Sequence, residues 1–242
     1  MLERARSGRS FLLSVVLALS VAAACSTRHP PDPAHDVDIP APDGVVLKGS
    51  YYSPGSPGPG VLLIHQCNMD RHAWDGLIPD LVSAGFHVLT FDQRGYGDTP
   101  GKGGAGDASH ANDDADAAYA FLASRPAVDK RRLAAGGASC GVTYSASLAS
   151  RHPEMKALVL LSGWADDKAR AYIRSTPALA VFGAAAERGG SDAADIREAL
   201  AASPNPRSSL RIVSGRGHGV AMFDEDGSLK GTLVKWLVAQ AR

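Results

Sequence analysis

The chain has 242 residues, 45% of them hydrophobic and 21% charged, which is enough apolar material for one sizeable α/β domain and too much for a disordered chain. Its 25 basic residues balance 25 acidic ones, so there is neither a basic excess to hold nucleic acid nor an acidic tract.

The amino terminus reads as a targeting segment. Arg4, Arg6 and Arg9 precede a 14-residue apolar run from Phe11 to Ala24, and small residues close it at Ala22, Ala23 and Ala24. A basic start, a short apolar stretch and a small-residue end describe a secretory signal over residues 1–24, too short to span a bilayer. Cys25 follows directly, where bacterial lipoproteins are acylated, and is the candidate lipidation site. The expected location is exported and membrane-anchored through that lipid, with a secreted soluble product as the alternative. Residues 25–36 carry Pro30, Pro31 and Pro33 and read as an extended tether.

The domain proper runs from 37 to 242. Val37–Ile39 and Val45–Tyr52 flank Ala41-Pro42-Asp43-Gly44, a hairpin signal. Val61–Ile64 is a continuous apolar run, as in a parallel strand covered on both faces. His72–Ala84 reads as a helix ended by Gly85, His87–Phe91 as a strand, and 92–107 as a Gly-rich loop. Ala108–Ser124 is an Ala-rich helix. Asp113, Asp114 and Asp116 read there as a solvated first turn favoured by the helix dipole, not as metal ligands. The alternation continues with a strand at Leu133–Gly136, a helix at Cys140–Ser150, a strand at Leu158–Ser162, a helix at Asp166–Ser175 and a strand at Ala178–Phe182. It closes with a helix at Asp192–Ala202, a strand at Leu210–Val213 and a helix at Ser228–Ala239. Such alternation implies a mostly parallel, doubly wound sheet whose chemistry lies at the carboxyl ends of its strands. No cofactor or metal motif is read.

Several polar residues stand just after strands. Gly137-Ala138-Ser139-Cys140-Gly141 is a G-x-S-x-G pattern between a strand and a helix, where a sharp turn lifts a serine hydroxyl to a helix N-terminus. A free serine needs a base, and His218, flanked by Gly217 and Gly219 after the last strand, is placed to be one. The acid that orients it is harder to choose. Glu187 is nearest after the strand ending at Phe182. Asp192 would serve if the loop curls back, though it looks more like a helix N-cap, and Asp166 or Asp167 follow the preceding strand. Two backbone donors for an oxyanion would come from Cys140 and from the loop His65-Gln66-Cys67.

Taken together, Leu62-Leu63-Ile64-His65, Arg71-His72 with Trp74, Val88 through Asp92-Gln93-Arg94-Gly95-Tyr96-Gly97, the serine pentapeptide and Gly217-His218-Gly219 resemble the α/β-hydrolase superfamily over most of residues 45–240. The likeness is to its small, lidless esterase and dienelactone-hydrolase-like branch. It implies Ser139 as nucleophile, His218 as base, Glu187 as acid, the backbone of Gln66 and Cys140 as oxyanion hole, and structural roles for Asp92, Arg94 and Gly95. Two departures stand out: Gln66 replaces the usual glycine, and Ala186 occupies the usual aspartate position, with Glu187 one place late. Cys140 as nucleophile, after the dienelactone-hydrolase pattern, would need a small residue at 142, where Val142 stands. Cys67 and Cys140 both belong to loops meeting at the oxyanion hole, and in an exported protein they can form a disulfide. Only about 15 residues separate the strands ending at Ser162 and starting at Ala178, which leaves no room for a large cap. The expected function is a serine hydrolase cleaving small-molecule carboxylic esters through an acyl-enzyme. Amide, lactone and peptide substrates stay open, and the alternative is a degraded hydrolase fold that binds a ligand or partner without turnover.

Overall fold

The computed structural model describes residues 34–103 and 108–242. The signal segment, Cys25 and nearly all of the tether lie outside them. Strands β1 (His35–Pro40), β2 (Val46–Tyr52), β3 (Gly58–Ile64), β4 (His87–Phe91), β5 (Val128–Ala138), β6 (Ala157–Leu161), β7 (Ala180–Ala186) and β8 (Ser209–Val213) form one sheet in the order β1-β2-β4-β3-β5-β6-β7-β8. The β1–β2 hairpin is antiparallel and β2 joins β4 antiparallel, while every other pairing is parallel. At the hairpin turn the Ala41 N–H donates to Val45 O at 2.8 Å, and Gly44 takes φ +90°, where a side chain would be strained.

Helices α1 (Ile78–Ser83), α2 (Ala111–Ala123), α3 (Cys140–Arg151), α4 (Asp167–Ser175), α5 (Asp192–Ala201), α6 (Met222–Glu225) and α7 (Leu229–Gln240) cover the two faces. Leu62 and Ile64 of β3 face the core built with α2, α3, α4 and α5, whereas Val61 and Leu63 face the one built with α1, α6 and α7. A period of two with both phases apolar is why the β3 sequence is an unbroken hydrophobic run. Among the described residues, the connection from β6 to β7 holds only α4, so no large cap stands over the strand ends.

Three elements differ from the sequence reading. The segment 72–84 is not one helix: a 3₁₀ turn at Arg71–Trp74 precedes α1, because Pro79 lacks the N–H that a continuous helix would need. β5 begins five residues earlier than read, at Val128, which pairs with Gly58. β7 starts at Ala180 and continues to Ala186, four residues past Phe182. Its Gly183 is a packing requirement rather than a loop signal, since a Cβ there would lie 2.4 Å from Leu200 Cδ2 and 2.7 Å from Ile196 Cγ2 of α5.

Candidate active site

Ser139 sits between β5 and α3 with φ 53° and ψ −121°. Among the described residues, only Ser139 and Ser162 are non-glycine residues with positive φ. Both lie at the carboxyl ends of neighbouring strands, and the Ser139 N–H donates to Leu161 O at 2.9 Å. Backbone strain of this kind persists only where the surroundings over-determine it. Here they do, because a Cβ on Gly137 would lie 1.9 Å from Gly141 O, and one on Gly141 would lie 2.4 Å from Ile64 O. The two glycines of the pentapeptide are therefore small because backbone passes against backbone on both sides of the serine.

His218 caps a 3₁₀ turn at Gly219–Ala221 that follows β8. Its Nδ1 lies 2.7 Å from Asp192 Oδ2, and the two side chains are 47% and 17% exposed. The carboxylate at the imidazole is therefore that of Asp192, not Glu187. The cause is the length of β7. The Glu187 N–H donates to Val213 O at 2.8 Å and the Arg188 N–H to Gly215 O at 3.0 Å, so both residues prolong the ladder to β8 and the Glu187 side chain faces solvent. The chain then turns, with the Gly189 N–H on Ala186 O and Gly190 at φ +78°, and brings the first residue of α5 back to the histidine. Asp192 is thus not the N-cap it resembled. The remaining alternatives are engaged elsewhere: Asp166 caps α4 by accepting the Ala169 N–H at 2.7 Å, and Asp167 pairs with Arg170.

The loop after β3 approaches the elbow through Cys67, which forms a disulfide with Cys140 at a Cα–Cα distance of 5.8 Å. The N–H groups of Gln66 and Cys140 belong to the two chain segments that this bond joins. Among the described residues neither donates to another group of the chain. The Gln66 carbonyl is held by the Met69 N–H at 3.0 Å and by His65 Nδ1 at 2.8 Å. His65 is buried, and its Nε2 accepts the Gln93 N–H at 3.0 Å, so the proton resides on Nδ1 and the ring is neutral. Burial pushes the His65 pKa below its ordinary value, outweighing the carboxylates of Asp92 and Asp70. The Gln66 side chain does not enter the space between the two N–H groups by way of its amide. Its Oε1 accepts the Val220 N–H at 3.2 Å, and its Nε2 donates to Asn68 Oδ1 at 2.8 Å.

Asp92 and Arg94 form a frame beneath this loop. Asp92 accepts the N–H groups of Arg71 at 2.7 Å and Asp98 at 2.9 Å and pairs with the Arg71 guanidinium. Arg94 makes a bidentate pair with Asp114, both bonds at 2.7 Å, and also holds Asp43 of the hairpin turn. Hydrogen bonds to Asp114 and then Asp43 push the Arg94 pKa up, while burial pushes that of Asp114 up against the pull of Arg94. Asp114 is therefore a buried partner rather than a solvated helix residue, and Asp116 is bound by Arg151 and His152, each at 2.9 Å. Of the three, Asp113 is the exposed one. The sequence carries no spacing signal for these pairs, whose members lie 20 or more positions apart.

The rim adds two features that the sequence did not single out. Trp164, 48% exposed after β6, has its carbonyl held by Thr143 Oγ1 of α3 at 2.7 Å. A pocket beside the disulfide is lined by Cys67, Gln93, Tyr96 and Tyr144. No group of three histidine, cysteine, aspartate or glutamate side chains is set to hold a metal among the described residues.

A family model described as alpha/beta hydrolase fold matches residues 59–182. An uncharacterized protein of Mycobacterium tuberculosis is 36% identical over 129 residues, covering 52% of this chain and 44% of that protein. A polyketide transferase of Gibberella fujikuroi is 31% identical over 126 residues, covering 48% of this chain and 37% of that protein. The chain thus spans less than half the length of these curated relatives. Among solved structures, an esterase of Pyrococcus furiosus is 20% identical with a TM-score of 0.74, covering 87% of this chain and 93% of that one. A dienelactone hydrolase of Anabaena variabilis is 19% identical with a TM-score of 0.70, covering 88% and 100%. At such identities these two structures show a shared fold. With its mostly parallel eight-stranded sheet, its serine at a left-handed strand-to-helix turn and a family match over half its length, the chain belongs to the α/β-hydrolase fold family.

Proposed function

We propose that the protein is a serine hydrolase that cleaves small carboxylic esters through an acyl-enzyme. The observation that carries this reading is the 2.7 Å contact between His218 Nδ1 and Asp192 Oδ2, in a chain whose Ser139 holds the strained strand-to-helix turn after β5. In the proposed reaction His218 Nε2 takes the proton of the Ser139 hydroxyl as its oxygen attacks the ester carbonyl carbon. Asp192 holds the Nδ1–H tautomer and stabilises the imidazolium. The negative charge that develops on the carbonyl oxygen is met by the Gln66 and Cys140 N–H groups and by the N-terminus of α3. The imidazolium returns its proton to the departing alcohol, and a water molecule, deprotonated by the same histidine, then releases the acid and frees Ser139.

An esterase and a dienelactone hydrolase among the structural neighbours, and a polyketide transferase among the relatives, are consistent with acyl chemistry at this site. The short β6–β7 connection favours an open site and small substrates. The test is hydrolysis of short-chain nitrophenyl esters together with fluorophosphonate labelling. Both should be lost in Ser139→Ala, and labelling that survives this change, or never appears in the native protein, refutes the reading.

Export and acylation at Cys25 belong to the same proposal and rest on the amino-terminal sequence. Metabolic labelling with a radioactive fatty acid should mark the wild type and not Cys25→Ser. Equal labelling of the two removes the anchor from the proposal.

A further inference from the structure

Gln66 occupies an unusual position. Its backbone N–H is the proposed oxyanion donor on the β3 loop, while its side chain reaches across to the loop that carries His218. Gln66 as a whole is 5% exposed, and both ends of its amide are occupied. Oε1 accepts the Val220 N–H at 3.2 Å, two residues after the histidine, and Nε2 donates to Asn68 Oδ1 at 2.8 Å within its own loop. The intervening residue is shaped to allow this: Gly219 has φ +59°, and a Cβ there would lie 2.2 Å from Gln66 Oε1. A glycine at 66 would supply the same backbone donor and none of this bridge.

On its other side the histidine loop is held by Glu225, whose carboxylate accepts the Gly217 N–H at 2.7 Å and the Arg216 N–H at 3.2 Å. His218 thus stands between two anchors. The one at Glu225 lies at the end of α6, and the one at Gln66 lies in the loop that would bind the developing oxyanion.

We propose that Gln66 is a positioning residue that couples the oxyanion loop to the loop of His218, so that donor and base keep a fixed separation. The inference rests on the serine-hydrolase reading for its catalytic consequence, but the bridge itself is read without turnover. Hydrogen exchange of the Val220 amide, followed by NMR or mass spectrometry on the full domain, reports the bridge directly. Gln66→Met removes the acceptor at nearly constant volume and should speed that exchange about tenfold, as expected for the loss of one ordinary hydrogen bond. Gln66→Glu keeps an oxygen in place and should leave the exchange at the wild-type rate, with Asn68 turning its amide to donate. In the Met variant kcat for a short-chain ester should fall about tenfold with KM within about twofold, since alignment and not ground-state binding is lost. Gln66→Asn draws the carbonyl one methylene back and gives the same readings if the Met variant does not fold. Unchanged Val220 exchange in a folded Met or Asn variant overturns the bridge, and faster exchange with unchanged kcat overturns its catalytic role. If the wild type turns over no ester, the serine-hydrolase reading and the catalytic role fall together, and the exchange comparison still decides the bridge.

Discussion

Opening the Cys67–Cys140 disulfide should cost the folded state about 4 kcal/mol. The bond joins residues separated by 73 positions. The conformational freedom that such a closed loop removes from the unfolded chain grows with the logarithm of its length. For this separation it amounts to about 15 cal/mol/K, or about 4.4 kcal/mol at 25 °C. A domain of this size loses about 2–4 °C of Tm for each kcal/mol, so the midpoint should drop by about 9–18 °C. Both cysteines are half-buried, which leaves the bond open to a small dithiol. The assay compares chemical and thermal denaturation of the native protein with and without dithiothreitol, alongside the Cys67→Ala/Cys140→Ala double variant. The reduced wild type and the oxidised double variant should fall together, and reductant should not shift the variant. A loss below about 1 kcal/mol on reduction would refute the reasoning, because it would mean that the unfolded chain is already restricted between these loops without the bond.

Other consequences are equally direct. Asp192→Asn should lower kcat by about 10³–10⁴-fold by presenting the wrong partner to His218 Nδ1, while Glu187→Gln should stay within about twofold; equal losses in the two would remove Asp192 from its role. Gly141→Ala, whose Cβ would lie 2.4 Å from Ile64 O and 2.9 Å from His65 O, should cost about 3 kcal/mol or more or fail to fold, measured by urea denaturation. His65 has a pKa below its ordinary value, so the folded state refuses a proton that the unfolded chain accepts. Its contribution to stability is complete above about pH 6.5 and is lost as the pH falls below that value. Between pH 7.5 and 5.5 the wild type should therefore lose more stability than His65→Asn, and parallel losses would contradict the assignment.

The order of strands and helices, the hairpin and the serine turn are legible in the sequence because they rest on local period and on small residues at fixed spacing. Which carboxylate stands beside His218 is not legible, for a reason that lies in packing. Gly183-Ala184-Ala185-Ala186 looks like the start of a loop, and counting from Phe182 points to Glu187. Gly183 is small because α5 lies directly on it, as the approach of Leu200 and Ile196 shows, and the three alanines that follow are buried in the cores on the two faces of the sheet. The strand therefore runs on, and the turn that delivers a carboxylate comes five residues later. The paired charges of Arg94, Asp114 and Asp43 were hidden for a related reason, since nothing local records a contact between three distant segments. The contact of the Gln66 side chain is equally illegible, because the N–H that donates to its Oε1 lies 154 positions away.

The parallel pairing of β3 with β5 sets Ile64 opposite Gly137. Cys67 and Cys140 each lie three residues beyond that registered pair. The two thiols therefore meet only when the strands have aligned in register, and a slip by a single step would separate them. Once formed, the bond holds the alignment that also fixes the elbow and its neighbouring loop.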